Sequence, residues 1–489
     1  MSSKFMTFAD LTRLLPMAKV LGLKNNVSQE IKQFVTDSRA INSGEFFVAI
    51  KGERFDANQF IGEVANKGAL GALVSDAAQV ADMPTWLVSD TLLAMQGLAK
   101  DWRAELSVKV AVVTGSNGKT TVKEMIASIF ATAVGEHASI STKGNFNNEI
   151  GLPLTLLRLT REHQLAAIEL GMNHPGETKF LANIASPDIA LINNAQREHQ
   201  EFMNGVRAVA IEHSNAIDAL GENGIAVFPA DSDYSSLWRD HAGAREVIDF
   251  EFNPKSTSNA VVTGVWLTSD EIKVAINRKG SSTQEFSVKL NTLGEHNAKN
   301  ALAATAVALA AGISVEKIKL GLEKFTPVSG RMQSKPLTSY KGPGLLIDDT
   351  YNANPDSVLA AIDVLAGLSG VRWLALGDMG EVGANGPEFH KEIGDYARQK
   401  GINCLFATGE LTKESVTGFN SKSSIDESDK LGAWHFADSA NLTEALLKRI
   451  ALLEKSEELS ELSILVKGSR FTKMERVVNN LLEEKSACC

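Results

Sequence analysis

Cysteine is nearly absent from the 489-residue chain: the three that occur are Cys404, Cys488 and Cys489, the last two adjacent. No disulfide framework can be built from them. That suits a reducing compartment, and a cytoplasmic protein is expected. Positive charge is in deficit. Lys and Arg number 49 against 59 Asp and Glu, a net charge of −10. No overall field exists to drive counterion release, so no nucleic-acid partner is expected, although a local basic pocket for phosphates stays open. Long apolar runs are missing too. The longest, Ala301–Ile313, contains Thr305 and is too short to span a bilayer. The opening MSSKFMTFADLTRLLPMAKVLG lacks the uninterrupted apolar stretch of a signal peptide, so neither export nor membrane insertion is expected. What is present is ordinary for a soluble globular chain, 44% apolar and 22% charged. This rules out a disordered chain, a collagen and a coiled-coil rod. At about 150 residues per domain, the length suggests about three domains.

To about residue 92, short strand signals at Phe46–Ile50 and Leu70–Ser75 flank a helix at Asp56–Asn66, and Thr91–Glu105 has helical periodicity. From Val108 the pattern changes. Val108–Val113 is a continuous apolar run, the signature of a strand buried on both faces. Similar runs recur at Leu165–Leu170, Ile189–Asn193 and Ile225–Phe228, with helical segments between them. Such alternation predicts a parallel sheet with helices on both faces. Ala260–Leu290 alternates apolar and polar residues around turns and predicts β-hairpins, followed by helices at His296–Ala311 and Val315–Phe325. Thr326–Pro343 is richer in Pro, Gly and Ser and reads as a boundary. Beyond it, strands are expected at Leu345–Asp348, Trp373–Leu376, Leu405–Ala407 and Ile464–Val466. The expected fold is α/β in three domains: a small N-terminal α/β domain (1–92), a central parallel-sheet phosphate-loop ATPase domain (93–328) and a C-terminal Rossmann-like α/β domain (329–489).

The strongest local signal is Thr114-Gly115-Ser116-Asn117-Gly118-Lys119-Thr120-Thr121, which follows a buried strand and opens a helix. Glycines let backbone N–H groups converge on phosphate oxygens, and the helix N-terminus adds partial positive charge. Lys119 would reach the β/γ-phosphates and the Thr120 hydroxyl would ligate Mg²⁺. The loop is a short G-x-x-G-K-T variant, with Val113 where the general pattern has its first glycine. Two metal candidates stand at later strand ends, where ligands bind in open α/β sheets. Glu169 ends the Leu165–Leu170 strand, where a carboxylate is costly unless paired or metal-bound. His199 follows Ile189–Asn193 after a short loop; taken alone it is a plain loop histidine.

Together TGSNGKTT, Glu169 and His199 resemble the Mur ligase and folylpolyglutamate synthase superfamily. TDSR (Thr36–Arg39), GEFFVAIKGERFDANQF (Gly44–Phe60), KGNFNNEIGLP (Lys143–Pro153), GEHNAKNALAA (Gly294–Ala304), SGRMQ (Ser329–Gln333), DDTYNANPDS (Asp348–Ser357), LGDMGEVG (Leu376–Gly383) and VKGSR (Val466–Arg470) resemble its MurF type, while the DNPR stretch of the MurE type is absent. The resemblance implies an ATP- and Mg²⁺-dependent ligase that joins D-alanyl-D-alanine to UDP-N-acetylmuramoyl-tripeptide in peptidoglycan precursor synthesis. A monomer is expected. Lys119, Glu169 and His199 would be catalytic. Gly115 to Thr121 would hold the nucleotide phosphates. His296, Asn297 and Asn300 would border the adenine, although a helix cap is the plainer reading of His296. Arg331 would face phosphate, and Asp349 and Asn352 the ribose or phosphate. Ser38 and Arg39 would meet the UDP-sugar, with an ordinary surface role the alternative for Arg39. Asn148 would touch substrate, and His390 and Arg470 would border the dipeptide. Related ligases carry an N-carboxylated lysine after the metal histidine. Here no lysine occurs between Lys179 and Lys255, and His213 stands in register beside Glu212. Glu212 is therefore a candidate ligand for the second Mg²⁺, against an exposed helix pair with no metal role. Rival readings are a superfamily ligase that adds a single amino acid, and a phosphate-loop NTPase acting as a switch or nucleic-acid motor.

Overall fold

Lys109–Thr114 is a strand whose successive side chains enter two different cores. The computed structural model describes residues 4–23, 26–77, 83–421, 431–455 and 459–483, so Cys488 and Cys489 lie outside the described residues. Val110 and Val112 join the core that holds Leu98, Trp102 and Leu181; Ala111 and Val113 join the one that holds Ile126, Ile129 and Leu302. No face of the strand is wet, which is why its sequence is a continuous apolar run. It lies inside a six-stranded parallel sheet, in the order Glu246–Val247, Ile225–Val227, Ile189–Ile192, Lys109–Thr114, Leu165–Glu169 and Ser139–Ser141. Chain order reverses at Lys109–Thr114. The loops after Thr114, Glu169 and Ile192 therefore open onto one crevice at the carboxyl edge.

Helix Lys119–Val134 leaves that edge and packs against Glu295–Ala310. The latter is buried almost all round from Ala301 to Ala310, as an Ala-rich helix can be when sheet and helix approach closely. Residues 250–289 form a separate four-stranded sheet. In it Val262–Trp266, Glu271–Ile276 and Gln284–Lys289 pair antiparallel in sequence.

The N-terminal region carries a five-stranded sheet: Lys19–Leu21, Thr85–Leu87, Gly71–Val74, Phe46–Val48 and Phe34–Val35. The helix expected at Asp56–Asn66 is split, with a 3-10 turn Ala57–Phe60 capped by the Asp56 side chain and then α-helix Ile61–Asn66. Beyond residue 330 a second six-stranded sheet has the order Gln333–Pro336, Gly344–Asp349, Leu462–Lys467, Val371–Gly377, Cys404–Thr408 and Gly432–Phe436. All its pairs are parallel except the first. The Pro- and Ser-rich stretch read as a boundary is therefore partly strand. Gln333–Pro336 is a short edge, where Pro336 breaks no interior ladder. The last strand in sequence, Leu462–Lys467, inserts between Gly344–Asp349 and Val371–Gly377 and brings Lys467 beside Asp349. Cys404 is buried in the interior of this sheet. Among the described residues, no helix is long and apolar enough to cross a membrane.

Candidate active site

A cavity of about 1380 Å³ lies where the carboxyl edge of the central sheet faces the C-terminal sheet. The loop after Lys109–Thr114 forms its floor. Gly115 and Gly118 have φ of +134° and +78°, values that side-chain-bearing residues rarely adopt. A Cβ on Gly118 would stand 2.6 Å from Asn300 Oδ1. The loop is braced from behind by a chain of carboxamides. Asn193 Nδ2 donates to the Asn117 carbonyl at 2.8 Å and to Asn300 Oδ1 at 2.9 Å. The Asn117 N–H donates to Asn194 Oδ1 at 2.8 Å. The Gln196 N–H donates to Ser116 Oγ at 2.8 Å. Thr120 and Thr121 lie in the first turn of the helix that opens at Lys119, whose first N–H groups have no partner within it.

Lys119 folds back over this loop. Its Nζ donates to the Gly115 carbonyl at 2.6 Å and lies 3.3 Å from both the Ser116 carbonyl and Glu198 Oε2. Glu198 is 4% exposed, and its other oxygen is 2.9 Å from His213 Nε2. His213 Nδ1 is 2.9 Å from Thr114 Oγ1. Burial opposes ionisation of Glu198, but Lys119, His213 and His199 outweigh it and bring its carboxyl down to about 2. Glu169 sits at the adjacent strand end, 3% exposed. Its Oε1 accepts from Asn147 Nδ2 at 2.8 Å, while Oε2 is buried without a hydrogen-bond partner. His199, at φ +46°, places Nδ1 2.7 Å from Glu381 Oε2 of the C-terminal region and thereby holds that carboxyl below the usual carboxylate range.

The opposite wall carries Arg331, stacked 4.0 Å from the centre of the Tyr351 ring, with its Nε unpartnered. Asp349 Oδ2 is 2.5 Å from Lys467 Nζ, which also donates to the Asn352 carbonyl at 3.0 Å. Asp349 and Asn352 both line the cavity. Two further contacts tie the walls together. The carboxamides of Asn117 and Asn354 bond reciprocally at 3.2 and 2.9 Å. Arg197 grips Asp356 Oδ1 through Nε and Nη2, and Glu392 Oε2 through Nη1 at 2.7 Å.

Known proteins resemble the chain throughout its length. The Mur ligase middle domain matches residues 113–308, and the Mur ligase glutamate ligase domain matches residues 330–470. A UDP-N-acetylmuramoyl-tripeptide–D-alanyl-D-alanine ligase of Haemophilus influenzae is 36% identical over 96% of this chain and 97% of its own. The chain belongs to the Mur ligase family. A crystal structure of MurF from Acinetobacter baumannii superposes on this Mur ligase with a TM-score of 0.83, at 32% identity over 98% of this chain and 99% of that one. MurF ligase of Thermotoga maritima in complex with ADP gives a TM-score of 0.75, at 26% identity over 93% of this chain and 97% of that one.

Several residues of this Mur ligase lie elsewhere than the sequence suggested. Glu212 does not reach the cavity. Its Oε1 accepts the Thr178 N–H at 2.9 Å and so holds the start of helix Glu177–Ala185. The helical phase of Gly205–Asp218 turns Glu212 towards that neighbour and His213 towards Glu198. His390 is fully buried. Its Nε2 accepts from the Met379 N–H at 3.0 Å and its Nδ1 donates to the Gly386 carbonyl at 2.7 Å. Burial lowers its pKa, and with both ring nitrogens bonded to backbone it sits in the core, outside the residues that line the cavity. Asn297 and Asn300 line the cavity, but their amide groups donate inward. Asn297 Nδ2 serves Thr292 and Leu293, and Asn300 Nδ2 serves Asn297. Asn300 braces the loop through Asn193, while Asn297 is bonded to Thr292 and Leu293. Arg470 is exposed behind Tyr351, 5.5 Å from its ring centre. Asn148 lines the cavity rim while its Oδ1 accepts the Gly151 N–H at 2.9 Å. Ser38 and Arg39 lie outside the cavity in the N-terminal region. Arg39 is 88% exposed and forks onto Asp37.

Sequence reasoning missed Asn147, Asn193, Arg197, Glu198, Glu381 and Lys467. The NNAQ run after a buried strand was a usable signal, because four small or amide residues at a sheet's carboxyl edge suit backbone bracing. His296 gives a pH test. Its pKa is lowered from 6.5 to about 4, chiefly by burial, with Asp349 pulling the other way. A depressed histidine favours the folded state above its unfolded pKa, and that contribution is lost as pH falls from about 6.5 towards 4. His296→Gln should therefore flatten the fall of melting temperature across that window. An unaltered slope would show that His296 is not the group responsible.

Proposed function

We propose that the chain joins D-alanyl-D-alanine to UDP-N-acetylmuramoyl-tripeptide with ATP, as a monomer in the cytoplasm, in the synthesis of peptidoglycan precursors for the cell wall. The observation that carries this is a phosphate loop facing Arg331 across one cavity, in a chain similar along almost all its length to ligases bearing that name. The tripeptide carboxylate oxygen attacks the γ-phosphorus, and ADP leaves. The dipeptide amine then attacks the acyl carbon, loses a proton, and phosphate departs with the electrons of the C–O bond. The protein's part is positioning and charge neutralisation. Lys119 turns from its loop carbonyls to the phosphoryl oxygens, and Arg331 meets them from the opposite wall.

Mg²⁺ fits the donors present. Glu169 offers a buried carboxylate oxygen with no partner, in the same cavity as the Thr120 hydroxyl and His199. When bound there, Mg²⁺ would offset phosphate charge. Among the described residues, no three His, Cys, Asp or Glu side chains converge on a metal. The remaining ligands would thus be water and phosphate, as Mg²⁺ prefers. In division of labour, 1–92 takes the sugar nucleotide through Ser38 and Arg39, 93–328 takes ATP, and 329–489 takes the dipeptide.

The test is phosphate release from ATP with UDP-N-acetylmuramoyl-tripeptide as acceptor. D-Alanyl-D-alanine, lysine, diaminopimelate and glutamate are offered in turn as the amine. Only the dipeptide should support turnover. Release with a single amino acid and none with the dipeptide would replace this reading by that of a single-residue ligase.

A further inference from the structure

A buried carboxylate in a pocket built for a polyanion requires explanation. Glu198 is only 4% exposed, yet it lines the same cavity as the phosphate loop. Its position is set by a chain of two contacts. One oxygen is locked by His213 Nε2 at 2.9 Å, and His213 is locked in turn by Thr114 at the strand end. The groups that face it are the Lys119 ammonium at 3.3 Å and the imidazoles of His213 at 2.9 Å and His199 at 3.8 Å.

An ammonium has three protons to donate. Those of Lys119 point to the Gly115 carbonyl, the Ser116 carbonyl and Glu198. When a nucleotide phosphate draws Lys119 away, Glu198 loses its nearest cation and is left, almost wholly buried, beside new negative charge. Glu169, with its unpartnered buried oxygen in the same cavity, adds to the deficit of positive charge. Arg331 meets the phosphates from the far wall, and a divalent cation arriving with them offsets the charge on the side of Glu198 and Glu169.

We propose that Glu198 makes nucleotide binding conditional on a divalent cation, so that the site accepts the cation–nucleotide complex and rejects the free polyanion. The inference rests on the nucleotide site assigned above. Thr114 and His213 act as positioning residues that keep the carboxylate aimed at the phosphate loop. A merely structural ion pair between Lys119 and Glu198 would behave differently, because its loss would move stability and both nucleotide affinities together.

The experiment is calorimetric titration of ADP into the full chain, with Mg²⁺ and again with EDTA. The wild-type protein should bind Mg-ADP at least tenfold more tightly than metal-free ADP. Glu198→Gln should tighten metal-free ADP tenfold or more and leave Mg-ADP within threefold, so that the ratio collapses. An unchanged ratio in Glu198→Gln, or equal affinities in the wild type, overturns the proposal and leaves the nucleotide site standing. Failure of the wild type to bind ADP even with Mg²⁺ overturns the nucleotide site itself. If Glu198→Gln does not fold, Glu198→Ser, which also lacks the charge, decides on the same terms.

Discussion

Lys119→Ala should lower ligation by about 10³-fold or more and leave the fold intact. Removing one preorganised charge from a developing oxyanion costs about 10²–10³ in rate, and Lys119 is the cation nearest the loop's phosphate-facing groups. It is only 16% exposed, and its ammonium is bonded to carbonyls of its own loop. The fold survives because those carbonyls border an open cavity that water can enter, and because Glu198 keeps its bond to His213. A melting temperature within about 5 °C of wild type is expected. Phosphate release in the presence of both substrates is the measurement, and turnover at the wild-type rate would remove the ATP site from this loop.

The second large effect belongs to Glu169→Gln, for which activity and stability should move in opposite directions. Glutamine keeps the size of the side chain and can still accept from Asn147 Nδ2 through its amide oxygen. What it loses is the charge on a buried oxygen that no protein group satisfies. An unsatisfied buried polar atom costs about 1–3 kcal/mol, and more when charged. The variant should therefore melt at the wild-type temperature or above it. Ligation should fall about 10²-fold, with saturation requiring more Mg²⁺. Stability held at the expense of function is the usual mark of a site residue. A variant that loses stability and keeps its Mg²⁺ requirement would make Glu169 structural.

The layout of the molecule was legible in its sequence because it follows from periodicity. Val108–Val113, Leu165–Leu170 and Ile189–Asn193 are apolar throughout, and the structure buries both faces of each corresponding strand. The phosphate loop was legible because its residues are contiguous and each glycine has a backbone reason to be there. What escaped is what depends on distant pairs. Arg197 meets Asp356, and Asn117 meets Asn354, across separations of 159 and 237 residues, which no spacing rule reaches. Glu212 and His213 were adjacent candidates, and only the helical phase separates them. His390 could have been placed from the sequence. It falls on the same helical face as Ile393, Gly394 and Ala397, all buried, so a core imidazole was the better reading.

The contact beneath Gly118 ties three distant positions into one unit. The space beside its Cα is filled by the carboxamides of Asn193 and Asn300, which belong to other segments of the chain. Any side chain at Gly118 meets both a steric wall and an unfavourable backbone, and shortening either asparagine removes a bond that the loop depends on. The three positions are therefore coupled, and a change at one is felt at the other two. A change at one of them alone is expected to cost the loop its shape, so the loop and its two braces work as a single unit although they stand 75 and 107 positions apart along the chain.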